Sequence, residues 1–511
     1  MGLLSEPGSH TLYDVLRGHA ERDPQRPWLT FERGDGAARS WTYAEFADEV
    51  EATAASLATL GLRNGDTFVV CLDNHPELLR LILAASASGL VAIPADTRLT
   101  KRELGDYFDV SEARLLLTRN EHGEARAAAE EHEASVVLVG DPLDDVDGAG
   151  GPEAPTGNAA DVFELLFTSG TTSRPKGVML TSRAVVHGAT VLAKAAGYGP
   201  NDTPLVALPL YHAAAQMHQL WPTLIVGGRA VVVEQFAPTR FFAQAARHGA
   251  TTSAQFAATL RLLLRRGDPG DARQSALRHM TFAQSLSPEE YADWDRRFGV
   301  PLQHLWGMTE TVGLPLMSPL TGDRRLETMG RPVAGYDVVV CDPEDRPAAP
   351  GEPGEIVVRA DPGMNVTLGY YRNPEATAEL FRDGWLRTGD IAAADEEGFV
   401  SFLGRRRDII RRGGTNFSAV EIEEVVRGLA GVLDVAVVAV DDALGDQSVA
   451  VFVVRDGEHP TADEVRARCR ATLAAFKRPQ MVEFVAELPK TAVGKVRKHL
   501  LVPSPGDGGR E

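Results

Sequence analysis

The chain has 511 residues and a formal net charge of −19, with 44% apolar and 24% charged residues. That length exceeds one compact core, so two to four structural units are expected, and the acidity argues against nucleic acid as a partner. The composition is that of an ordinary globular enzyme. Of the two most apolar windows, Leu81–Pro94 is too short to span a bilayer and Leu220–Val233 is interrupted by Pro222, Gly227, Gly228 and Arg229, so no membrane span is expected.

The N-terminus has no basic-then-apolar signal pattern, and Glu6 stands where a myristoylation site wants Ser or Thr. Cys71, Cys341 and Cys469 lie far apart, without metal-ligand spacing, and read as buried thiols of a reducing cytosol; a cytoplasmic location follows. The first helix to stand out is "TYAEFADEVEATAASLATLG". Thr42 and Glu45 have capping-box spacing, Phe46, Val50, Ala54 and Leu57 share one face, and Gly61 ends it. The short apolar runs "DTFVVCLD", "SGLVAIPA", "ASVVLVG", "GRAVVVEQF" and "YDVVVCD" read as strands between helices, which favours an α/β class with buried sheets. The stretch from Asp141 to Asp161 has low-complexity composition and reads either as a domain boundary or as a long surface loop before strand-like "VFELLFTSG". Near "FLGRRRDIIRRGGTNFSAVEIEEVV" the charge balance changes. A capped helix at Ser418, strand-like "DVAVVAV" and "SVAVFVV", and a second capped helix at Thr461 with Glu464 predict a small α+β unit. Basic clusters there read as solvated faces, or as surfaces that meet an anionic ligand. The tail "PSPGDGGRE" reads as disordered.

Several short stretches carry chemistry. In "LFTSGTTSRPKGVML" a buried strand opens into Thr168, Ser169, Gly170, Thr171, Thr172 and Ser173, followed by Lys176. Hydroxyls, glycine-exposed N–H groups and one cation suit a phosphate, although an isolated Gly-Thr-Thr is more often a mobile loop. It is not the common P-loop, because the hydroxyls precede the lysine. "LWGMTET" places Trp306, Gly307, Thr309 and Glu310 together. "WLRTGDIA" carries Asp390, a carboxylate able to accept from ribose hydroxyls. "GRRRDIIRRGG" joins Arg405 to Gly413 and Gly414, and "LPKTAVGKVRKHLL" presents Lys495 beside a glycine. Each is weak alone: a Trp in a loop is usually packing, and a single Glu a solvated acid.

In this order and spacing, with "GRP" at Gly330–Pro332, "GEIVVR" at Gly354–Arg359 and "GYYRNPEAT" at Gly369–Thr377, they resemble the adenylate-forming superfamily of acyl-CoA synthetases, adenylation domains and luciferases. The resemblance runs from about Thr11 to Leu501, and "YHAAAQMHQL", "MTFAQSLSPEE" and "IIRRGGTNFSAVEIE" look most like the carnitine/crotonobetaine-CoA ligase branch. It implies a large N-terminal domain of stacked mixed sheets and helices, residues 1–404, and a small mobile C-terminal domain, residues 405–511, hinged near Arg407. It implies ATP, Mg²⁺ and coenzyme A as cofactors and a small-molecule carboxylic acid as substrate, with a homodimer allowed for.

By position, the resemblance gives the β- and γ-phosphates to Thr168, Ser169, Gly170, Thr171, Thr172 and Lys176. Adenine stacks on Trp306, Thr309 sits near the α-phosphate, and Glu310 with Thr168 holds Mg²⁺. Asp390 and Arg405 take the ribose, and Lys495 contacts the acyl carboxylate and α-phosphate. His212 gates the acyl pocket, whose candidates are Gln216, Phe256, Ala257, Thr259, Ala283, Gln284 and Gly307, each as readily explained by packing. Gly413 and Gly414 line the pantetheine passage.

Departures from the family pattern are Phe282-Ala283-Gln284-Ser285 in place of a glycine-rich turn, Trp306 for Tyr, Ser173 for Gly, and Arg407 where Asp or Lys is usual. The leading reading is an acid–CoA ligase working through an acyl-AMP. The alternatives are a variant acting mainly on preformed acyl-adenylate, an enzyme loading a carrier-protein pantetheine, and a nucleotide-binding paralogue without turnover.

Overall fold

The computed structural model describes residues 8–139, 156–168, 174–325, 327–412, 415–441, 447–491 and 496–503. The chain divides into two compact units, one of residues 1–338 and 358–387, the other of 339–357 and 388–511.

The first unit is built on two sheets. One has six strands in the order Ser135–Leu138, Leu115–Thr118, Thr67–Cys71, Val91–Ala95, Val162–Thr168, Lys176–Thr181, parallel except for the last pair. Thr67–Cys71 and Val91–Ala95 are buried at every residue, which is why they read as continuous apolar runs without alternation. Strands on both sides of the Asp141–Asp161 stretch belong to this one sheet, so that stretch joins two parts of one unit and is not a domain boundary. The other sheet has nine strands, with Leu302–Trp306, His279–Ala283, Thr252–Phe256, Pro204–Val206, Ala230–Val233 and Pro27–Glu32 parallel at its centre. Helix Pro76–Ser88, buried at all but one position, packs against strands Val91–Ala95 and Val162–Thr168.

Helix Tyr43–Thr59 begins at the expected capping box. Thr42 Oγ1 accepts from Glu45 N–H at 3.2 Å and Glu45 Oε2 accepts from Thr42 N–H at 2.7 Å. The two apolar windows resolve into helix-plus-strand pairs, Pro76–Ser88 with Val91–Ala95 and Trp221–Val226 with Ala230–Val233. Among the described residues no helix is long and apolar enough to cross a membrane. All three cysteines are free and buried, and burial pushes the Cys71 thiol up to about 12.

The second unit contains the expected α+β arrangement. Strands Val432–Asp441 and Gln447–Arg455 pair antiparallel, and Met481–Phe484 joins the latter in parallel. Helices Ala419–Arg427 and Ala462–Thr472 accompany them, capped by Ser418 and by a complete Thr461/Glu464 box.

Candidate active site

Strand Val162–Thr168 turns back as Lys176–Thr181 with Thr168 opposite Lys176, so the two ends of the hydroxyl-rich stretch are neighbours. Ser169, Gly170, Thr171 and Thr172 lie outside the described residues. The strand Lys176–Thr181 holds a third segment on its other side. Met179 N–H donates to Gly369 O at 2.9 Å, and Tyr371 N–H donates to Gly177 O at 2.8 Å. Gly369 makes this possible: its φ is +124°, and a Cβ there would lie 2.5 Å from Thr377.

Tyr370 is thereby fixed between two charges. Lys176 Nζ lies 4.9 Å from the centre of its ring, and its hydroxyl donates to Glu310 Oε1 at 2.8 Å. Glu310 is 6% exposed, on the single turn Thr309–Thr311. Its backbone carbonyl accepts from Thr367 N–H at 2.9 Å, and Thr311 Oγ1 accepts from Met308 N–H at 3.0 Å. Val312, next in the chain, has φ of +57°, a strained backbone for a β-branched residue directly after the turn. Gly307 is required by close packing, since a Cβ would meet Gly313 O at 2.8 Å.

The acyl-pocket candidates gather at one edge. Phe256, Ala283 and Trp306 end three adjacent parallel strands, and Ala257, Gln284 and Gly307 are the first residues beyond them. The carboxyl edge of parallel strands is where ligands of open α/β sheets bind. His212 caps a short helical turn, its Nδ1 accepting from Ala214 N–H at 3.0 Å, and its ring meets Phe256 edge-on at 5.8 Å. Gln284 is exposed at φ +71°, so a glutamine holds the backbone position for which a glycine is suited. Thr259 faces back, donating to Phe256 O at 2.8 Å.

Gln216 is placed differently. It is fully buried, with Nε2 donating to Glu164 Oε1 at 2.7 Å and to Leu210 O at 3.0 Å, while its Oε1 accepts from Trp221 Nε1–H at 3.2 Å. It opens the π-helical turn Gln216–Leu220, four residues after His212. Asn74 fastens the same approach, donating to Leu208 O and accepting from Leu210 N–H. Glu164, a lone acid in an apolar strand, is fully enclosed, and burial pushes its carboxyl up to about 8. Its Oε2 has no hydrogen-bond partner among the described residues. The same burial brings His218 down to about 3.

The second unit carries the ribose candidates. Asp390 and Arg405 face each other across paired strands, with Arg405 Nε 2.9 Å from Asp390 Oδ1. Glu355 secures the corner beside them, accepting from Gly389 N–H at 2.9 Å and pairing with Arg406. Gly413, Gly414 and Lys495 lie outside the described residues. The chain flanking 492–495 is anchored. Lys490 bridges to Val496, Arg497 N–H donates to Pro489 O at 2.7 Å, Lys490 Nζ reaches Asp434 at 2.5 Å, and Lys498 Nζ reaches Glu423 at 2.7 Å. Leu488, Val496 and Leu501 pack with Ala436, Ala450 and Phe452 beneath it.

Among the described residues there is no cluster of three His, Cys, Asp or Glu side chains that could hold a metal by itself. Glu310 nevertheless fits Mg²⁺, which takes one or two carboxylates together with substrate phosphates and water. It is a buried carboxylate whose side-chain partner among the described residues is the neutral Tyr370 hydroxyl.

The AMP-binding enzyme family matches residues 16–371, and the AMP-binding enzyme C-terminal domain matches residues 421–495. The crotonobetaine/carnitine–CoA ligase of Salmonella typhimurium is 32% identical over 489 residues, covering 92% of this chain and 94% of that protein. ATP-bound MatB from Rhodopseudomonas palustris superposes with a TM-score of 0.85 at 29% identity, covering 96% of this chain and 98% of that one. O-succinylbenzoate coenzyme A synthetase (MenE) from Bacillus subtilis, solved with ATP and magnesium ion, gives 0.82 at 27% identity, covering 95% and 98%. With one family match spanning more than half its length and a relative of this identity along nearly all of it, the chain belongs to the adenylate-forming AMP-binding enzyme family.

Proposed function

We propose the following division of labour in this site. Lys176 and the Thr168–Thr172 stretch hold the β- and γ-phosphates, Trp306 stacks on adenine, Asp390 and Arg405 bind the ribose, and Thr309 attends the α-phosphate. The chain is an acid–thiol ligase that activates a carboxylic acid with ATP to an acyl-AMP and passes the acyl group to coenzyme A. The curated relative is named for crotonobetaine and carnitine and one solved neighbour for O-succinylbenzoate, so thioester formation is the chemistry the names share, and the acid differs between them. The observation that carries the reading is the convergence of Lys176 and Glu310 on Tyr370.

In the first step a carboxylate oxygen of the acid attacks the α-phosphorus and pyrophosphate leaves. Two anions must approach, and Lys495 offsets that repulsion while Lys176 grips the leaving end. Mg²⁺, when bound, neutralises charge on the phosphates, and Glu310 and Thr168 would hold it. In the second step the thiol attacks the acyl carbon and AMP departs. His212 and Phe256 border the acid at the strand edge with Ala257, Ala283, Gln284 and Gly307, and Gln216 acts on this border from behind. Gly413 and Gly414 line the passage of the pantetheine arm, where a side chain would block it. A C-terminal domain of residues 405–511 turning about Arg407 brings different groups to the two steps. A cytoplasmic location accompanies this reading, and a homodimer is compatible with it.

Pyrophosphate exchange across a panel of carboxylic acids tests the first step, and thioester formation from synthetic acyl-AMP tests the second. Exchange with one acid class is expected. No exchange with any acid, alongside thioester formation from acyl-AMP, would restrict the enzyme to the second step. Lys495→Ala should abolish exchange and largely spare the second step; equal loss of both in a folded variant would remove Lys495 from this role.

A further inference from the structure

Lys176 and Glu310 carry opposite charges and are both in contact with one residue, yet among the described residues each meets Tyr370 and not the other. Opposite unit charges a few ångströms apart in partly desolvated surroundings attract strongly enough to favour a direct pair. Such a pair would cancel the charges that a polyphosphate and its metal need.

We propose that Tyr370 is an electrostatic spacer: its ring face occupies the Lys176 ammonium and its hydroxyl occupies one Glu310 oxygen, so that the two charges stay apart and available. The inference rests on the reading that Lys176 binds phosphate and Glu310 binds Mg²⁺. A ring face and a neutral hydroxyl satisfy a cation and a carboxylate without neutralising either. The residue is built to stay in place. Its N–H donates to Thr377 Oγ1 at 2.9 Å and its carbonyl accepts from Asn373 N–H at 3.2 Å. Its backbone bridges to Val178, and the residues on either side are bonded to the strand that begins with Lys176. The carboxylate is held as firmly, since the Glu310 carbonyl accepts from Thr367 N–H only three residues before Tyr370. One tyrosine thus keeps the phosphate lysine and the metal carboxylate in register and uncoupled. Tyr370 is a positioning residue in this scheme, because it acts through Lys176 and Glu310.

The test is a double-mutant cycle read by calorimetric binding of α,β-methylene-ATP in EDTA, where no metal and no turnover enter. In Tyr370→Phe the carboxylate loses its hydroxyl and turns to Lys176, and affinity for the metal-free nucleotide is expected to fall about tenfold. Adding Glu310→Gln releases the lysine and should recover that affinity. The gain from Glu310→Gln is expected to be about tenfold larger in the Tyr370→Phe background than with tyrosine present, whereas a merely structural role for Tyr370 predicts equal gains. Manganese affinity of the nucleotide complex, read by electron paramagnetic resonance, should fall in Tyr370→Phe as well. Equal gains in both backgrounds, or unchanged nucleotide affinity in a folded Tyr370→Phe protein, would overturn the spacer. Lys176→Met separates this from the underlying reading: if it leaves metal-free affinity intact, the phosphate role of Lys176 is what fails.

Discussion

Arg405 Nε lies 2.9 Å from Asp390 Oδ1, and the two residues occupy directly opposed positions on paired antiparallel strands. The Asp390 side chain is 3% exposed and that of Arg405 30%, so the carboxylate depends on the guanidinium more than the reverse. Arg405→Ala is expected to reduce stability by about 1–3 kcal/mol, because it removes a cation from beside a buried carboxylate. It should also raise the KM for ATP more than that for the acid. Arg405→Lys keeps the charge but not the planar fork and should fall between. Denaturant unfolding with steady-state kinetics checks this; a KM rise confined to the acid would contradict it.

Glu164 gives a pH prediction with a definite sign. Its ordinary carboxyl value is 4.5, and burial raises it to about 8 in the folded chain. Between these values the folded state holds a proton that the unfolded state has released. Its contribution is therefore fully present below pH 4.5 and is lost as pH rises through about 8. Glu164→Gln removes the titration while leaving an oxygen for Gln216 Nε2. The stability difference between wild type and Glu164→Gln should fall by about 1.4 kcal/mol per pH unit across this window. Parallel unfolding curves at pH 5, 6, 7 and 8 would show that the carboxyl is not protonated when folded.

Gln284 stands with φ of +71° in the turn where the family pattern favours glycines. A left-handed backbone costs an ordinary residue about 1–2 kcal/mol, part of which glycine gives back through its freedom when unfolded. Gln284→Gly should stabilise the enzyme by about 0.5–1 kcal/mol, whereas Gln284→Ala, which keeps the strain, should not. Midpoints of urea unfolding distinguish the two. If the Gly and Ala variants behave alike, the strain is carried elsewhere.

Two ion pairs, Lys490–Asp434 and Lys498–Glu423, fasten the chain on both sides of residues 492–495. Under the proposed role of Lys495 in adenylation, loosening this stem should affect that step selectively. Asp434→Asn combined with Glu423→Gln is expected to slow pyrophosphate exchange about tenfold, a cost typical of a misplaced group, and to spare thioester formation from acyl-AMP. Glutamine at 423 keeps an acceptor for Val437 N–H, so the helix–strand contact survives. Equal loss in both steps would mark the pairs as general supports.

What the sequence disclosed was what local chemistry encodes. The capping boxes at Thr42/Glu45 and Thr461/Glu464 act over three residues and form as read. Strands enclosed in parallel sheets are apolar runs, and they too were visible. The pairing of Pro27–Glu32 with Ala230–Val233 was not, because neither segment encodes a partner some 200 residues away. Tyr370 escaped for the same reason. Its importance lies in meeting Lys176 and Glu310, and "GYYRNPEAT" by itself offers only a family mark. Glu164 did leave a signal, a single acid within "VFELLF". Gln216 is a pocket candidate by family position alone; the sequence does not show that its amide is engaged by Glu164, Leu210 and Trp221.

The three strands ending at Phe256, Ala283 and Trp306 stop side by side, and the residues that follow them contribute no rung to the sheet. Changes at Ala257 or Gln284 therefore leave the interstrand ladder untouched. With the acid bordered as proposed, a lineage can retailor which acid it accepts one loop at a time, while the frame that carries the site never has to be rebuilt.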